Sequence, residues 1–334
     1  MKPTLREAQS APLLGEAGLA RAGKLGVVFA LAGAALFSTK AIFIKLAYRE
    51  MEGLEPVTLL FLRFGFALPV YLGILAWAWR TRPPDRRIAA QSFALGLLGY
   101  HLCAWLDFQG LVFITAQLER LLLFTYPAFV LILGAVFFGG RVTKGGLLAV
   151  MVAYSGIALV FARGDMATGL NVPLGSALVL GCALLFALFQ LLAKPRIDLI
   201  GSTVFTCLAL IGATCGVVIH YTVQTYALGA GDAIGSLPSA VVGLGLALAV
   251  LGTLMPSFLT NMALARIGAQ AVAVLAMIGP LVTIVLAVIV LGEPFGWVDA
   301  LGTAITLSGI ALYTVLDQRE KARVSKTSPT PVTR

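Results

Sequence analysis

Apolar residues fall in long blocks along this chain, separated by short polar connections. Ten blocks are predicted to be helices, at residues 25–48, 56–79, 89–109, 115–138, 145–162, 173–193, 202–224, 238–260, 267–291 and 297–316. About 20 apolar residues, rising 1.5 Å each, span the hydrocarbon core of a bilayer. A soluble chain would instead break its apolar positions with a polar face. Most connections are under about ten residues, so consecutive helices should pack as antiparallel neighbours. Residues 1–24 are polar and of mixed charge. The first block, Leu25 to Tyr48, is too long for a signal-peptide core and ends without a small-residue cleavage site, so it reads as a retained span. The stretch 317–334 is polar, contains Pro329 and Pro331, and is predicted to be a disordered tail.

Composition agrees with a membrane protein: 59% of the 334 residues are hydrophobic and only 12% charged, about half the charge of a soluble domain. The net charge of +9 would suggest nucleic acid in a soluble protein, but here it carries topology. With the N-terminus inside, 18 of the 24 Lys and Arg residues fall in inner segments, two (Arg49 and Arg163) in outer loops, and four (Lys40, Lys45, Arg63 and Arg120) within spans. That asymmetry predicts both termini in the cytoplasm of a multi-pass inner-membrane (plasma-membrane) protein. Cys103, Cys182, Cys207 and Cys215 lie in apolar blocks without metal or redox spacing and read as small core residues. No phosphate-binding G-x-x-x-x-G-K-[ST] loop occurs.

The chain also repeats itself. A shift of 153 residues places Ala116-Gln117 on Ala269-Gln270, Pro127 on Pro280 and Gly139 on Gly292. It also places Ser155-Gly156-Ile157-Ala158-Leu159 on Ser308-Gly309-Ile310-Ala311-Leu312. Biased composition explains scattered Leu and Ala matches; it does not readily explain an aligned mid-span proline and a five-residue identity at one shift. The predicted units are 25–164 and 165–316. Each holds five spans, an odd number, so the second enters the membrane from the opposite side. The expected fold is therefore all-α, with ten transmembrane helices in two inverted five-helix repeats, a plan common among secondary transporters.

From about Leu25 to Leu316 the chain resembles the EamA-type branch of the drug/metabolite transporter superfamily. The resemblance rests on the repeat layout, the Ala-Gln…Pro pattern in spans four and nine, and Gly292-Glu293-Pro294 closing span nine. The Ser-Gly-Ile-Ala-Leu endings of spans five and ten and Ala183-Leu184-Leu185-Phe186-Ala187 in span six add to it. Two positions depart from the pattern: Gly139-Gly140 replaces the usual Gly-Glu after span four, and Phe37 stands where Trp is frequent. Among functionally known relatives, bacterial amino-acid exporters of the YddG type look closest in plan. The resemblance implies alternating access without ATP hydrolysis, no cofactor or metal, and no enzymatic activity.

Ionisable residues at bilayer depth each cost about 2.5–3.5 kcal/mol on insertion scales, so each needs a partner, a wet cavity or a function. Lys40, Arg63 and Glu119 are predicted about 12, 10 and 6 Å below the outer ends of their spans. Lys40 is a candidate for binding a substrate carboxylate or for a structural ion pair. Glu119 reads as a buried partner for Arg63, Lys40 or Arg120, or as a gating or proton-coupling carboxylate. Adjacent Glu119 and Arg120 point about 100° apart and are expected to face different partners. Arg63 is expected near Glu55, framing the mouth, and Lys45 is expected to snorkel outward. His101 and Trp105, with Tyr126, Gln117 and Gln270, are candidate cavity residues; a satisfied core histidine and simple helix–helix contacts are the rival readings. His220 reads as structural. Pro127 and Pro280 are candidate hinges.

The span interiors hold more positive than negative charge on this reading, which suits a carboxylate-bearing solute. The expectation is a carrier exporting small metabolites, with amino acids (aromatic or broad range) first and nucleotide-sugars or apolar drugs as alternatives. Its partners would be the solute and the bilayer, with no nucleic acid, and it is expected to be monomeric. A membrane enzyme would want clustered His, Asp or Glu, whereas the two His stand 119 residues apart in sequence. A receptor or scaffold would want large soluble domains or long loops.

Overall fold

The computed structural model describes residues 16–81, 83–137, 144–163, 171–276, 278–309 and 311–312, and these are entirely helix and short connection. Helix α1 spans Glu16–Glu50, α2 Pro56–Thr81, α3 Arg86–Gly96, α4 Cys103–Phe113, α5 Ala116–Leu123 and α6 Tyr126–Phe137. Helix α7 spans Lys144–Arg163, α8 Val172–Ile200, α9 Ser202–Thr222, α10 Ser239–Ala249, α11 Met255–Ala276 and α12 Ile278–Leu291. A last helix, α13, occupies 297–309. Among the described residues, seven segments are long and apolar enough to cross a membrane; Leu147–Val160 and Ile278–Leu291 are shorter apolar helices. The termini and Gly139-Gly140 lie outside the described residues.

Local chemistry sets several boundaries. Asp85 caps α3 by accepting from the backbone N–H groups of Arg87 and Ile88 at 2.8 and 3.2 Å, and Thr115 caps α5 through the Leu118 N–H at 3.2 Å. Gly201, at φ +80°, turns the chain sharply between α8 and α9. Gly292, at φ +64°, closes α12 in the left-handed conformation that glycine takes without a Cβ penalty. One expected boundary is absent: the backbone stays helical from Met255 to Ala276, without the break expected between residues 260 and 267. Gly268 there costs only about 1 kcal/mol in a helix interior, too little by itself to interrupt a segment packed along α1.

The described spans three and eight each contain a π turn. One occupies Leu97–Leu102, between α3 and α4; the other occupies Val250–Leu254, between α10 and α11. Their first residues are 153 apart, the shift that aligns the two halves in sequence. In the second, the Thr253 hydroxyl donates to the Leu248 carbonyl at 2.9 Å. A third π turn, Val223–Ala227, follows α9.

The largest buried cluster draws on α1, α2, α4, α9, α10 and α12, with Ile44, Leu59, Leu60, Phe64, Phe108 and Leu248 among its members. Glycines bring the two halves into backbone contact. A Cβ on Gly96 would fall on the carbonyl oxygen of Ala209, and one on Gly212 on that of Phe93, so α3 and α9 touch through both glycines. The repeated Ser-Gly-Ile-Ala-Leu stretches meet in the same way. Gly156 of α7 lies against Gly302 and Thr306, whereas Gly309 of α13 lies against Ala149 and Ala153. Numbering rises along one helix as it falls along the other, so these matched segments cross antiparallel.

Candidate functional site

The buried charges converge. The Lys40 ammonium on α1 sits 2.5 Å from Asp107 Oδ2 on α4 and 3.5 Å from Glu119 Oε1 on α5. Arg120 Nε lies 3.9 Å from Glu119 Oε2. Lys40 is 5% exposed, Asp107 2%, Glu119 0% and Arg120 1%. Three helices therefore deliver two cations and two carboxylates to one closed volume, where charges interact more strongly than in water.

Two expectations are corrected by this arrangement. Asp107 was not among the expected intramembrane charges, although it lies inside the third apolar block. Its signal was an acidic residue surrounded by Trp105, Leu106, Phe108 and Leu111. With Asp107 present, the supposed positive excess shrinks, because its carboxylate answers Lys40. Glu119 and Arg120 also do not face apart. Helical geometry separates their Cα–Cβ directions, but the long arginine chain curls back toward Glu119, with its guanidinium 5.9 Å from the Phe37 ring centroid.

Arg63 stands elsewhere than expected. Its Nε donates to Thr253 Oγ1, in the second π turn, at 2.9 Å, and its guanidinium lies over the Phe64 and Phe108 rings at 5.3 and 5.7 Å. It is 8% exposed and ties α2 to the second half instead of framing the mouth beside Glu55. Lys45 does not snorkel either. Its ammonium donates to the Leu111 and Ile114 carbonyls, both at 3.0 Å. The last carbonyls of a helix lack intrahelical donors, and Lys45 supplies one at the end of α4.

At the Glu50 end of the bundle, several hydrogen bonds join its two halves. Glu293 is the acid of the Gly-Glu-Pro motif. It accepts the Ala116 N–H at 2.8 Å and the Gln117 N–H at 3.2 Å, at the start of α5. Arg49 Nη2 donates to the Leu291 carbonyl at 2.5 Å, at the end of α12. Glu55 receives the Gln224 amide at 2.9 Å, and its own N–H donates to Asp232 Oδ2 at 2.9 Å. Burial raises the Glu55 carboxyl above its ordinary value; the Gln224 hydrogen bond opposes this and nearby Asp232 adds to it. The sequence marked Glu293 as part of a motif but gave it no task; its task as a cap appears only when the second half is laid against α5. Glu293→Ala leaves two buried N–H groups without acceptors at the positive end of a helix, and a destabilisation of about 1–2 kcal/mol is expected from thermal unfolding in detergent. Glu293→Asp, one methylene shorter, should lose less than Glu293→Ala.

The remaining candidates fall around this core. Gln117 is fully buried, and its amide donates to the Pro294 carbonyl at 3.3 Å. His101 Nε2 and His220 Nδ1 are 3.2 Å apart, and the Trp105 ring stands edge-on to His220 at 5.5 Å. The two histidines, distant in sequence, are therefore partners. Tyr126 joins an aromatic row, 5.4 Å from Phe186, which stacks 6.0 Å from Phe189; Tyr100 meets Phe189 at 5.2 Å. Pro127 is the second residue of α6, just past the break that separates it from α5, and Pro280 is the third residue of α12. At the start of α6, Pro127 removes a donor that has no intrahelical acceptor. The side chains of Pro127 and Gln270 lie outside the described residues.

Comparison with known proteins places this geometry. The EamA-like transporter family matches residues 24–162 and again residues 173–315. The chain is 27% identical over 285 residues to the uncharacterized transporter YcbK of Bacillus subtilis (strain 168), covering 84% of this chain and 90% of that protein. An uncharacterized transporter of Archaeoglobus fulgidus is 29% identical over 110 residues, covering 32% of this chain and 38% of the other. A solved structure described only as a crystal structure of a protein superposes with a TM-score of 0.56 at 15% identity, covering 89% of this chain and 98% of that one; it shares the fold. With two successive matches that together take in most of its length, the chain belongs to the EamA-like transporter family, as a multi-pass membrane protein with two copies of the family's unit.

Proposed function

We propose that this protein is a secondary transporter for amino acids, moving them outward across the inner membrane by alternating access between two inverted five-helix repeats. Ten membrane-crossing helices and cytoplasmic termini complete this reading. The observation that carries it is the buried quartet of Lys40, Asp107, Glu119 and Arg120. Four ionisable groups in a membrane interior are costly unless they serve a path or a site. The antiparallel crossing of the matched α7 and α13 segments supports the inverted relation. The contacts of Glu293, Arg49 and Glu55 support a state closed at the Glu50 end, which lies outside if the positive-inside reading holds. Outward transport then requires those contacts to open while the opposite end closes. Glu119, which is fully buried and whose carboxyl is in side-chain hydrogen-bond contact with that of Asp107, is the group best placed to take up a proton during the cycle.

The test is uptake of labelled amino acids into proteoliposomes holding the purified protein, with and without a pH gradient. Protein-dependent uptake is expected, and stimulation by the gradient is expected to disappear in Glu119→Gln. A folded preparation that moves no amino acid would sink the assignment. Uptake indifferent to the gradient would remove the coupling role from Glu119.

A further inference from the structure

Two buried carboxyl groups in hydrogen-bond contact need a proton between them. Asp107 and Glu119 make such a contact, and their oxygens flank one ammonium. Lys40 Nζ stands 2.5 Å from Asp107 Oδ2 and 3.5 Å from Glu119 Oε1. An ionised carboxylate only accepts, so a hydrogen bond between the two requires one of them to be protonated. Neither is more than 2% exposed. Water therefore does not relieve the contact, and two negative charges sharing a dry site repel strongly.

The neighbouring cations decide where the proton stands. Lys40 donates a hydrogen bond to Asp107, whereas its distance to Glu119 is that of an ion pair without a hydrogen bond. Asp107 is therefore the ionised member, and Glu119 carries the proton. Arg120 is then left over. Its Nε lies 3.9 Å from Glu119 Oε2, too far for a hydrogen bond. Among the described residues Nε and Nη2 have no hydrogen-bond partner. Lys40 and Asp107 cancel and a protonated Glu119 adds no charge, so Arg120 is a buried cation without an ionised partner. Loss of the Glu119 proton creates that partner on the adjacent residue.

We propose that Glu119 is a two-position proton switch: with its proton it bonds to Asp107, and without it the carboxylate turns to Arg120. The proton passes to water admitted when the cluster opens, and only hydrogen bonds and ion pairs change besides. Asp107 and Arg120 are positioning residues of opposite sense, one holding the proton on and the other drawing it off. The proposal deepens the coupling role given to Glu119 above and rests on that reading, but not on the identity of the solute. Tyr48 of α1, Arg63 of α2 and Cys182 of α8 also lie within electrostatic reach of Asp107. A phenol and a thiol ordinarily stay neutral, and a guanidinium charged, across the range in which carboxyls and imidazoles titrate. The carboxyl pair is thus the part of the cluster that changes charge.

The test needs no substrate. Infrared difference spectra of the purified full-length protein in detergent are recorded as pH is stepped, and the carbonyl stretch of protonated carboxyl groups is followed. Exposed carboxyls, ordinarily near pH 4, are ionised above about pH 6. The parent is expected to keep a carboxyl band above that pH, and Glu119→Gln is expected to lack it. Glu55, held above its ordinary value by burial, is present in both proteins and drops out of the comparison. In a second step Asp107→Asn should lose the band at a lower pH than the parent, and Arg120→Gln should keep it to a higher pH, each by about one to three pH units. Arg120→Lys, which keeps the charge, should titrate near the parent. A merely structural role would lower unfolding midpoints without producing shifts of opposite sign. A parent with no such band, or a band unchanged in Glu119→Gln, overturns the shared proton and leaves amino-acid transport standing. Shifts of the same sign, or Arg120→Gln titrating like the parent, overturn the exchange of partners. The parent, Glu119→Gln and the two Arg120 variants decide the matter even if Asp107→Asn does not fold. Failure of amino-acid uptake, in turn, would leave these spectra unchanged.

Discussion

Replacing Lys40 with methionine is expected to lower the unfolding midpoint in detergent sharply, and replacing Asp107 with asparagine in the same chain is expected to restore most of it. Methionine keeps the bulk of the lysine stem and removes its charge. The Asp107 carboxylate then stays buried without the ammonium 2.5 Å away. Removing one member of a buried ion pair costs about 3–5 kcal/mol, because the remaining charge keeps its desolvation penalty without compensation. Neutralising the second member as well removes that penalty, so the double variant should recover most of the loss. The cycle is read from the coupling between the two substitutions. A Lys40 that served only to hold substrate would give another result: Lys40→Met would keep its stability and lose transport, and Asp107→Asn would add nothing to it.

The second large effect is steric. Gly96→Ala is expected to destabilise the protein by about 1–3 kcal/mol or more, although alanine is the better helix former by about 1 kcal/mol. The added methyl would fall on the Ala209 carbonyl oxygen of α9, and backbone cannot move aside as the end of a flexible side chain can. Helices α3 and α9 would have to separate, which would also loosen Gly212 from Phe93. Gly73, whose Cβ would meet nothing within 4 Å, is the control: Gly73→Ala should be neutral or stabilising. Thermal unfolding of the two variants beside the parent checks this, and similar midpoints for both would refute the close approach.

These two predictions lie on different sides of what the sequence could show. Helix content, most span positions and the doubled unit were legible, because a bilayer demands long apolar runs and a duplication leaves matched residues at one shift. Lys40, Glu119 and Arg120 were legible as candidates because charge in such runs is expensive. Which charge answers which was not, since it depends on helix rotation and crossing, and these are set by contacts between residues far apart in the chain. Lys40 and Asp107 stand 67 positions apart, and Glu293 and Ala116 stand 177. Glycine has the same ambiguity: nothing near Gly96 or Gly73 in sequence says that one touches backbone and the other nothing. Arg63 shows the limit of arguing from depth alone. It was placed at the mouth by proximity to Glu55, whereas the π turn brought Thr253 to its Nε.

The π turns at Leu97 and Val250 also record an order of events. A π turn accommodates one residue more than the α-helical path around it. Had the two arisen separately, one insertion in each half would have had to land at the same register. A single insertion in an ancestral unit, before that unit was doubled, leaves both turns 153 residues apart with no coincidence. The π turn at Val223 has no counterpart of this kind: the matching stretch near residue 70 is ordinary α-helix within α2. On this account the widened turn that now holds Thr253 against Arg63 is older than the two-fold protein, and Arg63 makes use of a bend inherited from its single-unit ancestor.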